Sequence, residues 1–169
     1  MHPIVRLAKR AVDEYIKTGK VIATPEELSE EMALKAGVFV CLKAGGQLRG
    51  CIGTMAPAAL CAAEETIINA ISSATGDTRF FPVSEEELEG LQYSVDVLCA
   101  PEPVKDISEL DPKRYGVIVS KGARRGLLLP DLEGVDTAPE QLRIAMLKAG
   151  ISPDDKDIRI ERFEVRRYK

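Results

Sequence analysis

The sequence predicts an α+β fold built on a largely antiparallel sheet with flanking helices. Two observations carry this prediction. The β-rich runs occur in pairs joined by short glycine-containing turns, and the helical patterns between them lack the regular strand–helix–strand alternation of a parallel sheet. The chain has 169 residues, of which 45% are apolar. It can therefore bury roughly 70% of the surface of the unfolded chain, as one compact domain or two small lobes.

The first helix is predicted by apolar residues that recur at three- and four-residue steps from Ile4 to Ile16, with Gly19 as its stop. A second long helix is expected within residues 57–76, with Pro57 near its first turn. The residues expected on its apolar face are Leu60, Ala63, Ile67, Ala70, Ile71 and Ala74.

Two further helices are predicted by their capping residues. Ser84 and Glu87 have the spacing of a capping box, which indicates a short helix. Thr137 and Glu140 have the same spacing, and Gly150 is the expected stop of the helix that follows them.

The strands begin with a predicted hairpin, in which residues 38–44 and 47–54 pair around a turn at Gly45-Gly46. The other strands are expected in the alternating run at residues 91–98, in a second hairpin that turns near Lys121 to Ala123, and in residues 157–169, a charged run suited to a sheet edge.

The distribution of charge excludes several classes of function. Charged residues form 30% of the chain, the formal net charge is -4, and both signs are interspersed. A protein that binds nucleic-acid phosphates needs clustered lysine and arginine, so nucleic acid is not an expected partner.

No stretch approaches the roughly 20 apolar residues of a membrane span, and the start of the chain lacks the continuous apolar core of a signal peptide. We therefore expect a cytoplasmic protein without a membrane partner.

The chain contains four cysteines, Cys41, Cys51, Cys61 and Cys99, without CxxC spacing, and one histidine, His2. In a reducing compartment these cysteines are expected to be free thiols rather than disulfides. A structural zinc site would need four thiolate or imidazole ligands, so no metal site is predicted. All the cysteines except Cys51 lie within apolar runs and are assigned to the core.

The segment LRGCIGT contains the first candidate site. A two-residue turn at Gly45-Gly46 would place Arg49 opposite Leu42 and Cys51 opposite Val40, so that Arg49 and Cys51 share one face of the strand. A guanidinium beside a thiol favours the thiolate, which is the reactive form. The alternative is a structural cysteine in the core, because unmodified cysteines are among the most buried residue types.

Two glycines and a downstream polar pair extend this candidate site. Gly50 and Gly53 would let a ligand or another backbone approach closely, although glycine in a strand also marks simple bulges. Asp77 and Arg79, in the irregular segment GDTRFFP, could bind a substrate or act as an acid and an anion clamp. The alternative is that they cap a helix or pair with each other.

The segments FVCLKAGGQLRGCIGT, SSATGDTRFFPVSEEELEGLQYSVDVL and GLLLPDLEG occur in this order along the chain. In these segments the chain resembles the AMMECR domain family, whose members are also known as protein A of the AmmeMemoRadiSam system. The hexapeptide LRGCIG is the signature of this family. The resemblance covers nearly the whole chain and implies a single domain over residues 1–169, built as an α+β module of two unequal lobes with LRGCIG near their junction. It also implies a genomic or physical association with a Memo-like protein and a radical SAM protein, and it identifies neither a reaction nor a cofactor.

The residues that match the family patterns are Leu48, Arg49, Gly50, Cys51, Ile52 and Gly53 in the signature, and Asp77, Arg79, Phe80 and Pro82 in the downstream pattern DxRFxP. Thr78 stands where the family commonly has proline, which loosens the backbone expected for that turn.

Two functions follow from these residues. In the first, a thiol-dependent enzyme or enzyme-system component uses Cys51 as nucleophile or carrier at a cleft between the lobes. Arg49 would stabilise the thiolate or bind an anionic group of the substrate. Because no suitable histidine is present, either Asp77 would act as the base or the lowered pKa of the thiol would be sufficient. The residues expected to bind the ligand are Gly50, Gly53, Arg79 and Phe80. In the second function, the LRGCIG surface binds a partner protein without catalysis.

Overall fold

A computed structural model describes all 169 residues and confirms the predicted α+β fold. The α-helices are α1 (Pro3–Thr18), α2 (Glu30–Ala33), α3 (Ala62–Thr75) and α4 (Ala138–Ala149). The strands are β1 (Val38–Ala44), β2 (Gln47–Gly53), β3 (Leu91–Leu98), β4 (Glu102–Pro103), β5 (Gly116–Lys121), β6 (Arg124–Leu128), β7 (Arg159–Phe163) and β8 (Val165–Tyr168). Short 3₁₀ helices span Glu85–Gly90 and Ile107–Glu109.

The chain divides into two compact units, and each has its own four-stranded sheet. The first unit contains residues 1–97 and 166–169, and its strand order is β2-β1-β3-β8. The second unit contains residues 98–165, and its strand order is β4-β7-β5-β6. The β1–β2, β1–β3, β4–β7, β5–β6 and β5–β7 pairs are all antiparallel.

The charged run at the end of the sequence forms two strands instead of the single edge strand predicted. β8 lies at an edge of the first sheet, but β7 lies inside the second sheet, between β4 and β5. The prediction is wrong for β7 because its charges are matched by neighbouring side chains. Arg159 pairs with Glu161 at 3.1 Å, and Arg162 pairs with Glu102 at 3.3 Å.

Helix α1 contributes one layer of the first unit's core. Pro3 lies in its first turn, where the missing N–H costs no hydrogen bond. Gly19 ends the helix in the left-handed conformation, with φ of 72°, which confirms the predicted stop. The buried residues of this helix are Ile4, Val5, Leu7, Ala8, Ala11 and Val12. They belong to one cluster with the inward residues of β1 and α3.

Helix α3 begins later than predicted. Its N-cap is Cys61, so Pro57 lies outside the helix, and Leu60 is 83% exposed instead of packed in the core. The carboxylate of Glu65 accepts hydrogen bonds from the backbone N–H groups of Ala58 and Ala59, at 3.0 and 2.8 Å. These bonds hold the preceding residues as a loop, because the N–H groups are satisfied without a further helical turn.

The predicted hairpin of β1 and β2 is confirmed, including its turn. Gly45 and Gly46 both have positive φ, 56° and 81°, as a two-residue type I′ turn requires. Between Lys43 and Leu42, however, the register shifts by one residue at a bulge. The predicted Val40–Cys51 and Leu42–Arg49 pairs are therefore wrong, because the extra residue of β2 places Leu42 opposite Gly50 and Cys41 opposite Cys51.

The second unit packs α4 against β5 and β6. The predicted hairpin of these strands is confirmed, with Gly122 in its turn at φ of 57°. The predicted ends of α4 are also confirmed, since Thr137 accepts a hydrogen bond from the Glu140 N–H at 3.3 Å and Gly150 has φ of 65°. None of the candidate site residues belongs to this unit.

Candidate functional site

The structure brings together the two segments that the sequence singled out. The backbone N–H of Cys51 donates a hydrogen bond to Asp77 Oδ2 at 2.9 Å, and Arg79 Nη2 donates to the carbonyl oxygen of Cys51 at 3.4 Å. Asp77 and Arg79 therefore lie beside the Leu48–Gly53 strand, as their place in the predicted site requires. Strand β2 and the loop after α3 thus form one site within the first unit.

The position of β2 in its sheet explains these contacts. β2 is an edge strand, so the N–H and C=O groups on its outer side have no neighbouring strand. Cys51 presents both of its backbone groups to that side, since its N–H binds Asp77 and its C=O binds Arg79. The 4.1 Å between the Cα atoms of Cys41 and Cys51 agrees with a non-hydrogen-bonded pair of the ladder. Asp77 and Arg79 supply the acceptor and the donor that a further strand would have supplied.

Asp77 and Arg79 are also tightly paired with each other. Arg79 Nε lies 2.9 Å from Oδ1 of Asp77, and Arg79 Nη2 lies 2.6 Å from Oδ2. The Asp77 side chain is 6% exposed, whereas that of Arg79 is 55% exposed. The Arg79 guanidinium, together with the Cys51 N–H, holds the pKa of Asp77 well below its usual range. Asp77 is therefore a charged, fully occupied carboxylate, and such a group is a poor proton acceptor.

Arg49 connects the bulge in β2 to the end of the same loop. Its Nε and Nη2 lie 2.7 and 3.0 Å from the two carboxylate oxygens of Glu87. Its Nη1 donates to the Phe81 carbonyl at 2.9 Å, and its Nη2 contacts the Pro82 carbonyl at 3.4 Å. Glu87 also accepts a hydrogen bond from the Ser84 N–H at 2.8 Å, which confirms the predicted capping box. The hydrogen bond to Glu87 raises the pKa of Arg49 and correspondingly lowers the pKa of Glu87.

Phe80 lies near both arginines. The guanidinium carbons of Arg49 and Arg79 are 5.9 and 5.5 Å from the centre of its ring, within the range of cation–π contacts. The next residue, Phe81, is 90% exposed. The hydrogen bonds of Arg49 and Asp77 thus fix a loop that presents an aromatic side chain to solvent.

We expect Arg49→Lys to loosen this loop, because lysine keeps the charge but lacks the planar fork that binds both Glu87 oxygens and two carbonyls. The free energy of unfolding should fall by about 1 kcal/mol. Amide hydrogen exchange at residues 81–84 should accelerate more than exchange in α1. Arg10→Lys, at an exposed position of α1, is the matched control and should change neither measurement. Unchanged exchange in the loop of Arg49→Lys would contradict the role assigned to Arg49.

The structure joins Cys41 and Cys51 in a disulfide. The expectation of four free thiols is therefore wrong for this pair, and the assignment of Cys41 to the apolar core is wrong as well. The bulge explains both errors, because it brings the two residues directly opposite each other, with 4.1 Å between their Cα atoms. Cys61 and Cys99 are free and half-buried.

The two glycines of the signature are required by packing. A Cβ atom on Gly50 would overlap the backbone carbonyl oxygen of Ser73 in α3, and a Cβ atom on Gly53 would overlap the ring of Phe39. The predicted close approach of another backbone is thus confirmed for Gly50. At Gly53 the group that approaches is a side chain of the neighbouring strand.

Sequence analysis missed two polar residues of α3 that face this hairpin. Asn69 Nδ2 donates to the Val38 carbonyl at 2.9 Å. Ser73 Oγ accepts from the Ile52 N–H at 2.8 Å and donates to the Val40 carbonyl at 2.7 Å. Both side chains are at most 3% exposed, and they satisfy backbone groups at the point where the helix meets the hairpin.

A third polar residue of the same helix, Glu65, was also missed. Its carboxylate accepts hydrogen bonds from the Thr54 hydroxyl and from two backbone N–H groups of the loop before α3. Glu65, Asn69 and Ser73 are spaced four residues apart, so they form one ridge along the helix. That spacing, in a helix whose other inward residues are mostly apolar, was the signal available in the sequence.

Two kinds of feature are absent from the chain. No group of three or more histidine, cysteine, aspartate or glutamate side chains has the arrangement needed to hold a metal ion. No helix combines the length and the hydrophobicity needed to cross a bilayer.

The chain is similar to known sequences over its full length. The AMMECR1 family model matches residues 5–168. A protein of Thermotoga maritima is 58% identical over 170 residues, which cover 99% of this chain and 98% of the relative. A protein of Clostridium acetobutylicum is 50% identical over 169 residues, which cover 99% of this chain but only 36% of the relative. In that relative, the region similar to this chain is part of a longer protein.

The fold is also similar to a solved structure. The crystal structure of an uncharacterized protein from Pyrococcus horikoshii superposes with a TM-score of 0.90 at 39% sequence identity. The similarity covers 97% of this chain and 88% of the other.

Proposed function

The chain belongs to the AMMECR1 family, and we propose that it is a thiol–disulfide component of a multi-protein enzyme system, in which Cys51 exchanges and Cys41 is its internal partner. One observation carries this proposal. The cysteine of the signature hexapeptide lies directly opposite a second cysteine on the neighbouring strand and is bonded to it. Both residues are half-buried, so the pair is not enclosed in the core.

The proposed reaction is thiol–disulfide exchange between the cysteine pair and a substrate disulfide. In the reduced protein, the Cys51 thiolate attacks one sulfur of the substrate disulfide, a mixed disulfide forms, and one substrate thiolate leaves and takes up a proton. The Cys41 thiolate then attacks the Cys51 sulfur, which closes the internal disulfide and releases the second substrate thiol. Two electrons pass from the cysteine pair to the substrate. A dithiol reductant returns the pair to its starting state.

The other signature side chains act in this proposal by positioning. Asp77 and Arg79 hold the backbone on both sides of the Cys51 side chain, and Arg49 holds the loop that carries Phe80. We assign no proton transfer to Asp77, because its oxygens already bind Arg79 and the Cys51 N–H. Stabilisation of the Cys51 thiolate by Arg49 stays a prediction, as does a cleft between lobes.

The proposed partners are a Memo-like protein and a radical SAM protein, on the family resemblance of the signature segments. The proposed location is the cytoplasm, where disulfides are usually transient and either catalytic or redox-sensing. A reversible pair that joins an edge strand to its neighbour is consistent with that use.

The proposal is tested on folded protein that has been reduced with a dithiol and then mixed with a small disulfide. We expect wild-type protein to re-form the Cys41–Cys51 bond and release two thiols. Cys41→Ser should stop at a mixed disulfide on Cys51, because the second attack is lost. Peptide mass spectrometry identifies each product.

Cys61→Ser and Cys99→Ser are the matched controls, and both should behave as wild type. In the reduced folded protein, Cys51 should also be the fastest-alkylated of the four thiols. If Cys51 reacts only after unfolding, the thiol function is refuted. That result would favour the alternative function, a non-catalytic binding module that presents the LRGCIG surface.

A further inference from the structure

The charges around the cysteine pair identify a class of substrate. We propose, on the basis of the thiol–disulfide function above, that the pair prefers disulfides that carry negative charge, and that Lys43 and Arg79 attract them. Lys43 and Arg79 are exposed and positive, whereas the carboxylates of Asp77 and Asp96 are buried and paired with arginines.

Lys43 is on the same face of β1 as Cys41. Side chains two residues apart in a strand point to the same side, at a Cα separation of about 7 Å. The Lys43 side chain is exposed and makes no ion pair or hydrogen bond. Its ammonium group is therefore available to a bound anion.

Arg79 contacts the other cysteine. Its Nη2 lies 3.4 Å from the Cys51 carbonyl oxygen, so the guanidinium is held beside the residue that attacks the substrate. The hydrogen bonds of this guanidinium use Nε and Nη2 and leave the two N–H groups of Nη1 without a protein acceptor. The side chain is 55% exposed, which leaves Nη1 free to bind a carboxylate.

The acidic groups nearest in the sheet do not oppose this attraction. Asp77 is 6% exposed and bound by Arg79. Asp96, which lies opposite Phe39 on β3, is 4% exposed and bound by Arg167 at 2.7 Å. Buried carboxylates that are neutralised by an arginine repel an approaching anion weakly. The Asp77–Arg79 pair has no net charge, but the guanidinium is its exposed end, so an approaching anion meets this guanidinium and the unpaired ammonium group of Lys43.

The test measures the rate of disulfide exchange with three probes that differ in charge. Dithiodipropionate is anionic, hydroxyethyl disulfide is neutral and cystamine is cationic. Each rate with the reduced Cys41→Ser protein is divided by the rate of the same probe with free cysteine, which removes intrinsic reactivity. One charge contact near the surface changes a rate by about fivefold in water. We expect dithiodipropionate to react at least about fivefold faster than cystamine at low salt, and the difference to shrink at about 1 M salt.

Lys43→Glu is the decisive variant, because Lys43 forms no contact on which the fold depends. It should reverse or abolish the preference, whereas Lys20→Glu, which makes the same change of charge in the loop after α1, should retain it. Arg79→Lys should weaken the preference less than Lys43→Glu, since the charge remains. Equal corrected rates for all three probes would overturn this inference and leave the thiol function intact. Failure of Cys51 to react with any probe would overturn the thiol function and this inference together.

Discussion

Gly50→Val is expected to lower the free energy of unfolding by about 3 kcal/mol, the upper end of the usual cost of overpacking. The added side chain would meet the backbone carbonyl of Ser73, which cannot rotate away as the end of a flexible side chain can. Either α3 or β2 must move, and Ser73 and Asn69 then lose their hydrogen bonds to the hairpin. Urea unfolding followed by circular dichroism measures the change.

Gly90→Ala is the matched control for this substitution. Nothing lies within 4 Å of the position that a Cβ atom would take on Gly90, so its stability should change little. Gly50→Ala should fall between the control and Gly50→Val. If Gly50→Val were as stable as Gly90→Ala, the helix would not rest on the hairpin backbone as described.

The sequence predicted the hairpin well but not its register. The Gly45-Gly46 turn between two β-rich runs has one common solution, a two-residue turn with both φ angles positive, and the structure contains it. The bulge at Arg49 has no comparable signal. Gly50 could have indicated it, but a glycine in a strand indicates a close approach equally well. Because a shift of one residue changes every pair beyond it, the disulfide could not be predicted.

The start of α3 shows a different limit of sequence patterns. Apolar periodicity continues through Leu60, and Pro57 suits a first turn, so the pattern predicts a longer helix. The helix is shorter because the Glu65 carboxylate, from within the helix, binds the N–H groups of Ala58 and Ala59. A side chain that competes with the helix for its own N-terminal donors is visible only when the loop is in place.

The contact between β2 and the GDTRFFP loop was predicted through the family resemblance, because the spacing of either segment alone does not place one beside the other. Asp77 and Arg79 are separated from Cys51 by the whole of α3. Their roles became clear from the edge position of β2, which leaves the backbone of Cys51 in need of a donor and an acceptor. The pairing of Asp77 with Arg79, one of the two structural alternatives for this pair, is also present.

Asp77→Ala is expected to lower the free energy of unfolding by about 2–3 kcal/mol, since it removes a charged acceptor from the Cys51 N–H and from Arg79. The loss should be smaller than for a fully buried ion pair, because Arg79 is 55% exposed and can turn to water. Asp77→Asn is the matched variant. Its amide oxygen can still accept from Cys51, but its amide nitrogen cannot accept from Arg79, so about half of the loss is expected.

The dependence on pH distinguishes the charge of Asp77 from its shape. The folded protein holds the pKa of Asp77 below the value of about 3.9 that an unfolded aspartate has. On acidification the unfolded state therefore takes up this proton first, so the stabilisation is complete above about pH 5 and is lost as the pH falls through the folded pKa.

Urea unfolding of wild type and Asp77→Asn from pH 7 to pH 2 measures the difference. The other carboxylates with lowered pKa are present in both proteins, so their contributions cancel in the comparison. We expect the advantage of wild type to be constant down to about pH 5 and to narrow below pH 4. An advantage that stays constant down to pH 2 would mean that Asp77 stabilises the edge of β2 by its shape and hydrogen bonding alone, without its charge.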